Sequence, residues 1–453
     1  MVWLCFFFRC LWYSVLSRSS GGGICGLCLA VSLSKDPSIE VSIYEAAQRF
    51  SEIGAGVMIW AKTWRILEIM GLADQFSKVA HAPPDGSIGV GFDFRKSDQP
   101  QEGFRFLLSE MPYGCIRFHR AHFLDVLINN LPEGIAHFNK RLSSYTRSSS
   151  SSPITLCFAD DSTAVCDLVI GCDGIKSTIR TQMYREEAER TKNERGDWES
   201  IVGYIEPVWS GTIAYRGLIP ASRLKEGHSA LSRPMMVSIG TLSSYTAARH
   251  VVSYSISQGS IVNVVTFASE PEKEGIPYEG PWVTECSRQE LLDCYADWEP
   301  EVEELLQCID KPTRWAIHHL KPLPFYVTDR VALLGDAAHA MTPHLGAGAG
   351  QAIEDAYILS LLLQHPDTDI ESIPLVLEAY EDARLRKAQH ILEGSWDAAL
   401  LYEFNSEMYG SDCNRLADVI QRQWGWVWES TPEEDEQNVL KWLSEQKRLR
   451  KVQ

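Results

Sequence analysis

The sequence predicts an α/β fold: a ββα unit around a parallel sheet, a second region built on a mostly antiparallel sheet, and helices toward the C-terminus. Three observations carry it. Residues 21–26, Gly-Gly-Gly-Ile-Cys-Gly, fit G-x-G-x-x-G, and Ile24, Leu27, Cys28 and Val31 continue as one apolar helical face. Residues 330–355 read as strand, Gly-rich loop and helix start. Residues 211–267 hold four β-like runs separated by turn residues.

The first unit closes as a Rossmann-like element should. Pro37 ends the helix, residues 41–44 (VSIY) alternate as a strand, and Glu45 follows 19 residues after Gly26. An acid at that distance reaches a ribose hydroxyl of a dinucleotide. In the second unit residues 331–334 form an unbroken apolar run, as in a strand buried on both faces. Gly346-Ala347-Gly348-Ala349-Gly350 then lets backbone approach a flat or anionic ligand closely.

Composition narrows the classes. A chain of 453 residues suits two domains, and an apolar content of 45% supports a large core. A formal charge of −18 argues against a nucleic-acid partner. Twelve cysteines spread over this length read as reduced, cytoplasmic thiols. Cys25 and Cys28 form a CxxC that falls inside a predicted helix and reads as core filling. No Cys or His spacing suggests a metal site. Residues 1–20 are apolar and aromatic but interrupted by Arg9. They are too short for a stable membrane span and lack the leading charge and cleavage site of a signal peptide, which stays as the weaker alternative.

Taken in order, residues 17–20 (Ser-Arg-Ser-Ser) do not read as the buried strand that should lead into Gly21; residues 11–16 could make a poor one. Residues 51–72 give a Gly-Ala-Gly turn and a helix ending in Gly-Leu, and residues 80–101 give hairpins and loops. A helix opens near Arg120 and runs through Leu124 and Leu127. Residues 143–153 are a low-complexity loop. Residues 154–165 form a hairpin around Asp160-Asp161, and a buried strand then turns at Asp173-Gly174 into a helix near Ser177. Residues 185–199 read as a charged surface insertion. Helices are expected over 291–309, 373–393 and 396–404, and a surface helix after Thr431.

The stretch GDAAH at 335–339, followed by PHLGAGAGQ at 343–351 and EDA at 354–356, resembles the second flavin motif of the FAD-dependent aromatic hydroxylases. The wording is most similar to the salicylate hydroxylases. The resemblance runs over residues 21–387 with three motifs in the family's order. The resemblance that these motifs carry implies an atypical N-terminus (1–20), a discontinuous cofactor domain (21–79, 103–184, 320–390), a substrate domain (80–102, 185–319) and a helical tail (391–453). It implies FAD held at Gly21, Gly23, Gly26 and Glu45, at the turn with Ala55 and Gly56, and at Arg120. It also implies a bond from Asp336, after Gly335, to the ribityl chain. Pro343, Gly346, Ala347 and Gly348 would lie beside the flavin ring. The middle motif, matched at Gly171, Asp173, Gly174, Ser177 and Arg180, would serve FAD and a passing NADH or NADPH.

Such an enzyme inserts oxygen from O2 into a small phenolic or carboxylated aromatic, with or without loss of the carboxylate to give a catechol. A phenol titrates near ~10, so a neutral His in a closed site suits the general base. His318, in Trp315-Ala316-Ile317-His318, falls on the family's catalytic His, and strand alternation lets only one of His318 and His319 face a pocket. Arg216 and Arg249 are candidates for a substrate carboxylate, since a bidentate Arg suits it. His344 is expected to border the ring and the substrate, His339 to brace the turn. A hydroxylase or epoxidase of the same superfamily in secondary metabolism, or a FAD-poor non-catalytic remnant, are the competing readings.

Overall fold

A computed structural model of the chain describes residues 2–5, 13–17, 23–50, 56–82, 84–149, 152–194, 196–232, 235–241 and 248–450. Two sheets organise it. The first has seven strands, in the order Val327–Thr328, Val331–Leu333, Leu168–Gly171, Tyr13–Ser17, Val2–Cys5, Val41–Tyr44 and Ala136–His137. Val331–Leu333, Leu168–Gly171 and Tyr13–Ser17 run parallel. Burial on both faces explains the unbroken apolar runs of Val331–Leu333 and Leu168–Gly171. Helix Gly23–Leu33 packs over this sheet against helix Gly348–Leu363. Cys25 and Cys28 are buried in that packing, and Cys25 Sγ donates to the Ala352 carbonyl at 3.2 Å.

The N-terminal reading changes here. Tyr13–Ser17 is a strand and supplies the parallel neighbour of Leu168–Gly171, so the sheet takes its first strand from residues 13–17 in spite of the polar run that follows. Val2–Cys5 pairs antiparallel between it and Val41–Tyr44.

The second sheet has eight strands, in the order Val283–Glu285, Thr313–His319, Val208–Pro220, Ile261–Ser269, Ala248–Ile256, Met235–Thr241, Ile88–Lys96 and Phe104–Pro112. It is antiparallel except where Met235–Thr241 meets Ile88–Lys96. Phe104–Pro112 pairs along Ile88–Lys96 and belongs to this sheet, which moves the expected boundary at residue 103 past Pro112.

Other differences have local causes. Residues 178–193 are one helix capped by Ser177, so the charged stretch from Arg185 continues a helix whose inner face buries Ile179, Met183, Tyr184 and Ala188. The helix expected over 291–309 is two, Arg288–Cys294 and Pro300–Gln307, because Pro300 starts the second. Residues 373–402 form one 30-residue helix, in which Ser395 is buried and Gly394 is tolerated by packing. It runs through the expected boundary at 390. Helix Pro432–Arg450 is docked, not merely superficial: Val439 and Leu443 are buried, and Asp435 pairs with Lys62 at 2.7 Å and Lys387 at 2.5 Å. Among the described residues no helix is long and apolar enough to cross a membrane.

One buried ionic knot joins the layers. Arg384, 1% exposed, donates from Nε to Asp355 at 2.7 Å, from Nη1 to Glu354 at 2.9 Å and from Nη2 to the Gln351 side chain at 2.7 Å. Asp355 also accepts from the Gly335 N–H at 2.9 Å and from His339 Nε2 at 2.6 Å. Burial would raise the Asp355 carboxyl, but His339 and Arg384 outweigh it and hold it below the usual 3.8. Its stabilising effect is therefore full above the unfolded value and lost as pH falls through the folded one. Arg384→Leu strands Asp355 and Glu354 in the interior and should cost ~3–5 kcal/mol, read as a lower denaturant midpoint; an unchanged midpoint would show that the knot carries no stability.

Candidate active site

Between the two sheets lies a cavity of about 640 Å³. One wall belongs to the parallel-sheet side: Ile24 and Cys25 at the start of helix Gly23–Leu33, Arg120 at the first position of helix Arg120–Asn129, Asp173, Asp336, and the loop from Pro343 to Ala349. Gly56 closes one corner, its N–H donating to Asn263 at 3.2 Å. The opposite wall is the eight-stranded sheet: Ala214, Arg216, Val252, Tyr254, Val265 and Phe267 from one face of its central strands, and the consecutive residues Trp315 to His318 near its edge, where the pairing with Val208–Pro220 shifts register.

The Gly-rich loop follows from backbone geometry. Gly335 has φ +57 and passes the chain from buried strand into the short helix Asp336–His339, leaving Asp336 exposed on the cavity. Gly346 is left-handed at φ +56, and a Cβ there would stand 2.4 Å from Met58 Sδ. Only glycine lets the loop fold flat against the cavity. His339 serves the Asp355 knot, whereas His344 is buried against the cavity wall.

His318 and His319 divide as alternation requires. His319 turns away and pairs with Glu274 at 3.1 Å. His318 faces the cavity, stacked on Trp282 with ring centres 3.6 Å apart and 13° between planes. Lys176 covers the Trp282 ring at 3.6 Å. His318 Nδ1–H donates to the Ala316 carbonyl at 2.9 Å, which leaves Nε2 as the basic nitrogen. Burial pushes its pKa down to about 4, so the ring is neutral at pH 7.

Several expected positions fall elsewhere. Gly21 and Ala55 lie outside the described residues. Gly23 and Gly26 are buried within the first helix, behind Ile24 and Cys25. Glu45 is buried at the end of its strand, accepts from the Ala47 N–H at 2.7 Å and does not line the cavity; burial raises its carboxyl. Asp173 lines the cavity, yet its oxygens bond Ser177 Oγ and the N–H groups of Thr178 and Ile179 (2.6 and 3.3 Å), so it caps the following helix. Arg249 is the clear correction. On its strand Val252 and Tyr254 face the cavity, so odd-numbered Arg249 points to the other side, where Nη1 donates to the Ala248 carbonyl at 3.1 Å. Trp282, Lys176 and Tyr254 were not anticipated, since only the folded sheet brings them to His318 and Gly56.

This arrangement has counterparts. A family profile described as FAD binding domain matches residues 20–207 and 303–395. A salicylate hydroxylase of Pseudomonas putida is 37% identical over 90% of each chain. The 6-methylsalicylate 1-monooxygenase of Aspergillus terreus is 35% identical over 90% of this chain and 87% of its own. The chain belongs to the FAD-dependent monooxygenases. A solved salicylate hydroxylase substrate complex superposes on this monooxygenase with a TM-score of 0.77 at 31% identity, covering 94% of this chain and 97% of that one. A Klebsiella pneumoniae protein solved with FAD and uric acid, at 20% identity and a TM-score of 0.64, shares the fold.

The residues fit FAD. A helix N-terminus, an exposed Asp after a positive-φ glycine, a flat Gly-Ala-Gly loop and Arg120 meet on one wall of the cavity. These are groups that accept a pyrophosphate, a polyol chain and a planar ring.

Because burial lowers His318, uncovering it should raise it. Trp282→Ala is expected to move the His318 titration from about 4 toward the ordinary 6.5, measured by NMR of the ring protons against pH. A value that stays near 4 would show that Trp282 does not shield the ring.

Proposed function

We propose that this monooxygenase hydroxylates a small aromatic carrying a phenol and a carboxylate, as salicylate does, using NAD(P)H and O2. The observation that carries the reading is His318: a neutral imidazole with Nε2 free to accept, on the wall facing the flavin loop. Bound FAD, reduced by NAD(P)H, supplies the activated oxygen. His318 Nε2 takes the phenol proton, which raises electron density on the ring carbon to be oxygenated. Arg216, whose guanidinium lies 4.9 Å from the Trp315 ring centre, offers a fixed planar fork to the carboxylate. Phe267, Val252 and Val265 give the aromatic an apolar bed and keep water out. The two hydroxylating relatives, named for salicylate and 6-methylsalicylate, support the same substrate class.

On this reading Asp336 bonds the ribityl chain and Arg120 reaches the flavin. Asp336→Ala loses a charge-assisted hydrogen bond and should weaken FAD retention roughly tenfold or more, followed by flavin fluorescence on dilution. Retention equal to the parent would remove Asp336 from the cofactor site.

His318→Ala should keep FAD bound and slow hydroxylation about a hundredfold or more, with the deficit shrinking at high pH as the phenol ionises unaided. His319→Ala should hydroxylate at nearly the parent rate. Stimulated NAD(P)H oxidation with salicylate, together with product analysis, reads both. Parent activity in His318→Ala across pH would sink the assignment.

A further inference from the structure

The cavity face of the eight-stranded sheet continues beyond the substrate wall into a buried polar cluster. On Ala248–Ile256, His250 shares the face of Val252 and Tyr254; on Ile261–Ser269, Ser269 shares the face of Val265 and Phe267. His250 is the cross-strand partner of Phe267 and stacks on it at 4.3 Å. Into this corner the last turn of helix Ile373–Tyr402 delivers Glu403, which is fully buried. His344 of the flavin loop completes the group, its ring 5.2 Å from that of His250. Ligand-type atoms of His250, His344 and Glu403 all lie within 4.8 Å of one another.

The hydrogen bonds are lopsided. Glu403 Oε1 accepts twice, from His250 Nδ1 at 2.9 Å and from Ser269 Oγ at 2.7 Å. Among the described residues Glu403 Oε2 has no hydrogen-bond partner, and the His344 ring nitrogens make no regular hydrogen bond, the Ser395 backbone alone bearing on that ring. A carboxyl whose one oxygen takes two donors carries any proton on the other. His344, which has a ring nitrogen within 4.8 Å of a Glu403 carboxylate oxygen, itself lines the cavity.

We propose that Glu403 and His344 form the proton inlet of the reaction cavity, with Glu403 as the buried acid and His344 as the group that passes its proton to the cavity. This rests on the monooxygenase reading above. Each turnover takes up one proton: the aromatic, O2, NAD(P)H and H+ become the hydroxylated aromatic, NAD(P)+ and water. The Glu403 Oε2–H bond breaks and its proton goes to one nitrogen of His344. The proton on the other nitrogen leaves for the oxygen atom that departs as water. Glu403 is left as a carboxylate held by His250 and Ser269, and it regains a proton from solvent when product leaves.

The surroundings suit this role. Burial raises Glu403 to about 7, so the acid is loaded below that pH and empty above it. Burial lowers His250 and His344 to about 3, so both rings are neutral and able to relay. The other titratable or charged groups bearing on Glu403 are Arg249, which favours its charged form, and Tyr295 from the far side of the sheet. Tyr402 adjoins it in the chain and meets the rings of His250 and His344 at 5.7 and 6.5 Å.

The test uses the FAD-loaded enzyme and has two readouts. In the parent, turnover with salicylate should fall as pH rises through about 7. Glu403→Gln should abolish that limb and lower kcat about a hundredfold below it, with KM and FAD content unchanged. Infrared spectra should show a protonated-carboxyl band in the parent that titrates over the same range and is missing in Glu403→Gln. Should that variant fail to fold, Ser269→Ala removes a donor that lowers Glu403 and should shift the limb upward. A limb that persists in Glu403→Gln, or does not move in Ser269→Ala, overturns the proposal. So does absence of the band in the parent, or stoichiometric metal in the purified protein, since a cation would displace the proton. If no carboxylated phenol stimulates NAD(P)H oxidation, the substrate reading fails, while the infrared band still decides whether Glu403 is the loaded acid.

Discussion

The Asp355 carboxylate is the point on which the cofactor side depends. It is fully buried and accepts from three directions: the N–H of Gly335, the His339 ring and Arg384. These come from the turn after a buried strand, the short helix that begins with Asp336, and the 30-residue helix Ile373–Tyr402. Three elements that share one apolar core are thereby fixed in one mutual orientation. A buried charge without its partners is so costly that the turn has few alternatives. The position of Asp336, and of the loop behind it, inherits that constraint.

The other side is governed by parity. On the central strands of the eight-stranded sheet alternate residues meet the cavity and the rest pack on the helices Arg288–Cys294 and Pro300–Gln307 around Tyr215, Val251, Leu291 and Leu305, whereas on Thr313–His319 the four residues from Trp315 to His318 all reach it. Arg216, Tyr254, Phe267 and His318 stand on the cavity face of four different strands. A one-residue slip would send Arg216, Tyr254 and Phe267 to the wrong face. Trp282 then depends on the register of the edge: its carbonyl accepts from the Ala316 N–H at 2.8 Å, which brings its ring onto His318.

What could be read from the sequence was what lies close along the chain. Residues 330–355 contain strand, turn, loop and helix in one piece, so their geometry was legible, as was the choice of His318 over His319 within a single strand. Arg249 was not, because alternation fixes relative facing but not which face is inward until the neighbouring strands are paired. The proton cluster was invisible for the same kind of reason, since His250 and Glu403 stand 153 residues apart. Strand Tyr13–Ser17 was underrated because the polar residues after it suggested a loop, whereas pairing with Leu168–Gly171 decides the matter. Helix Ile373–Tyr402 ignored Gly394 because its buried face continues on both sides.

The order of strands in the seven-stranded sheet has a consequence for how the chain is made. Leu168–Gly171 finds its parallel partner Val331–Leu333 only after the whole of Val208–Pro220 through Thr313–His319 has been synthesised. Met235–Thr241, Ala248–Ile256 and Ile261–Ser269 form an antiparallel meander with Val208–Pro220 beside its last strand, so these four have their neighbours close at hand and are free to pair as they emerge. During that interval one edge of an otherwise buried, apolar sheet stands open, the condition under which nascent chains pair with the wrong neighbour. The part of the cavity wall from Ala214 to Phe267 can thus pair before Asp336 and the Gly346 loop have been made.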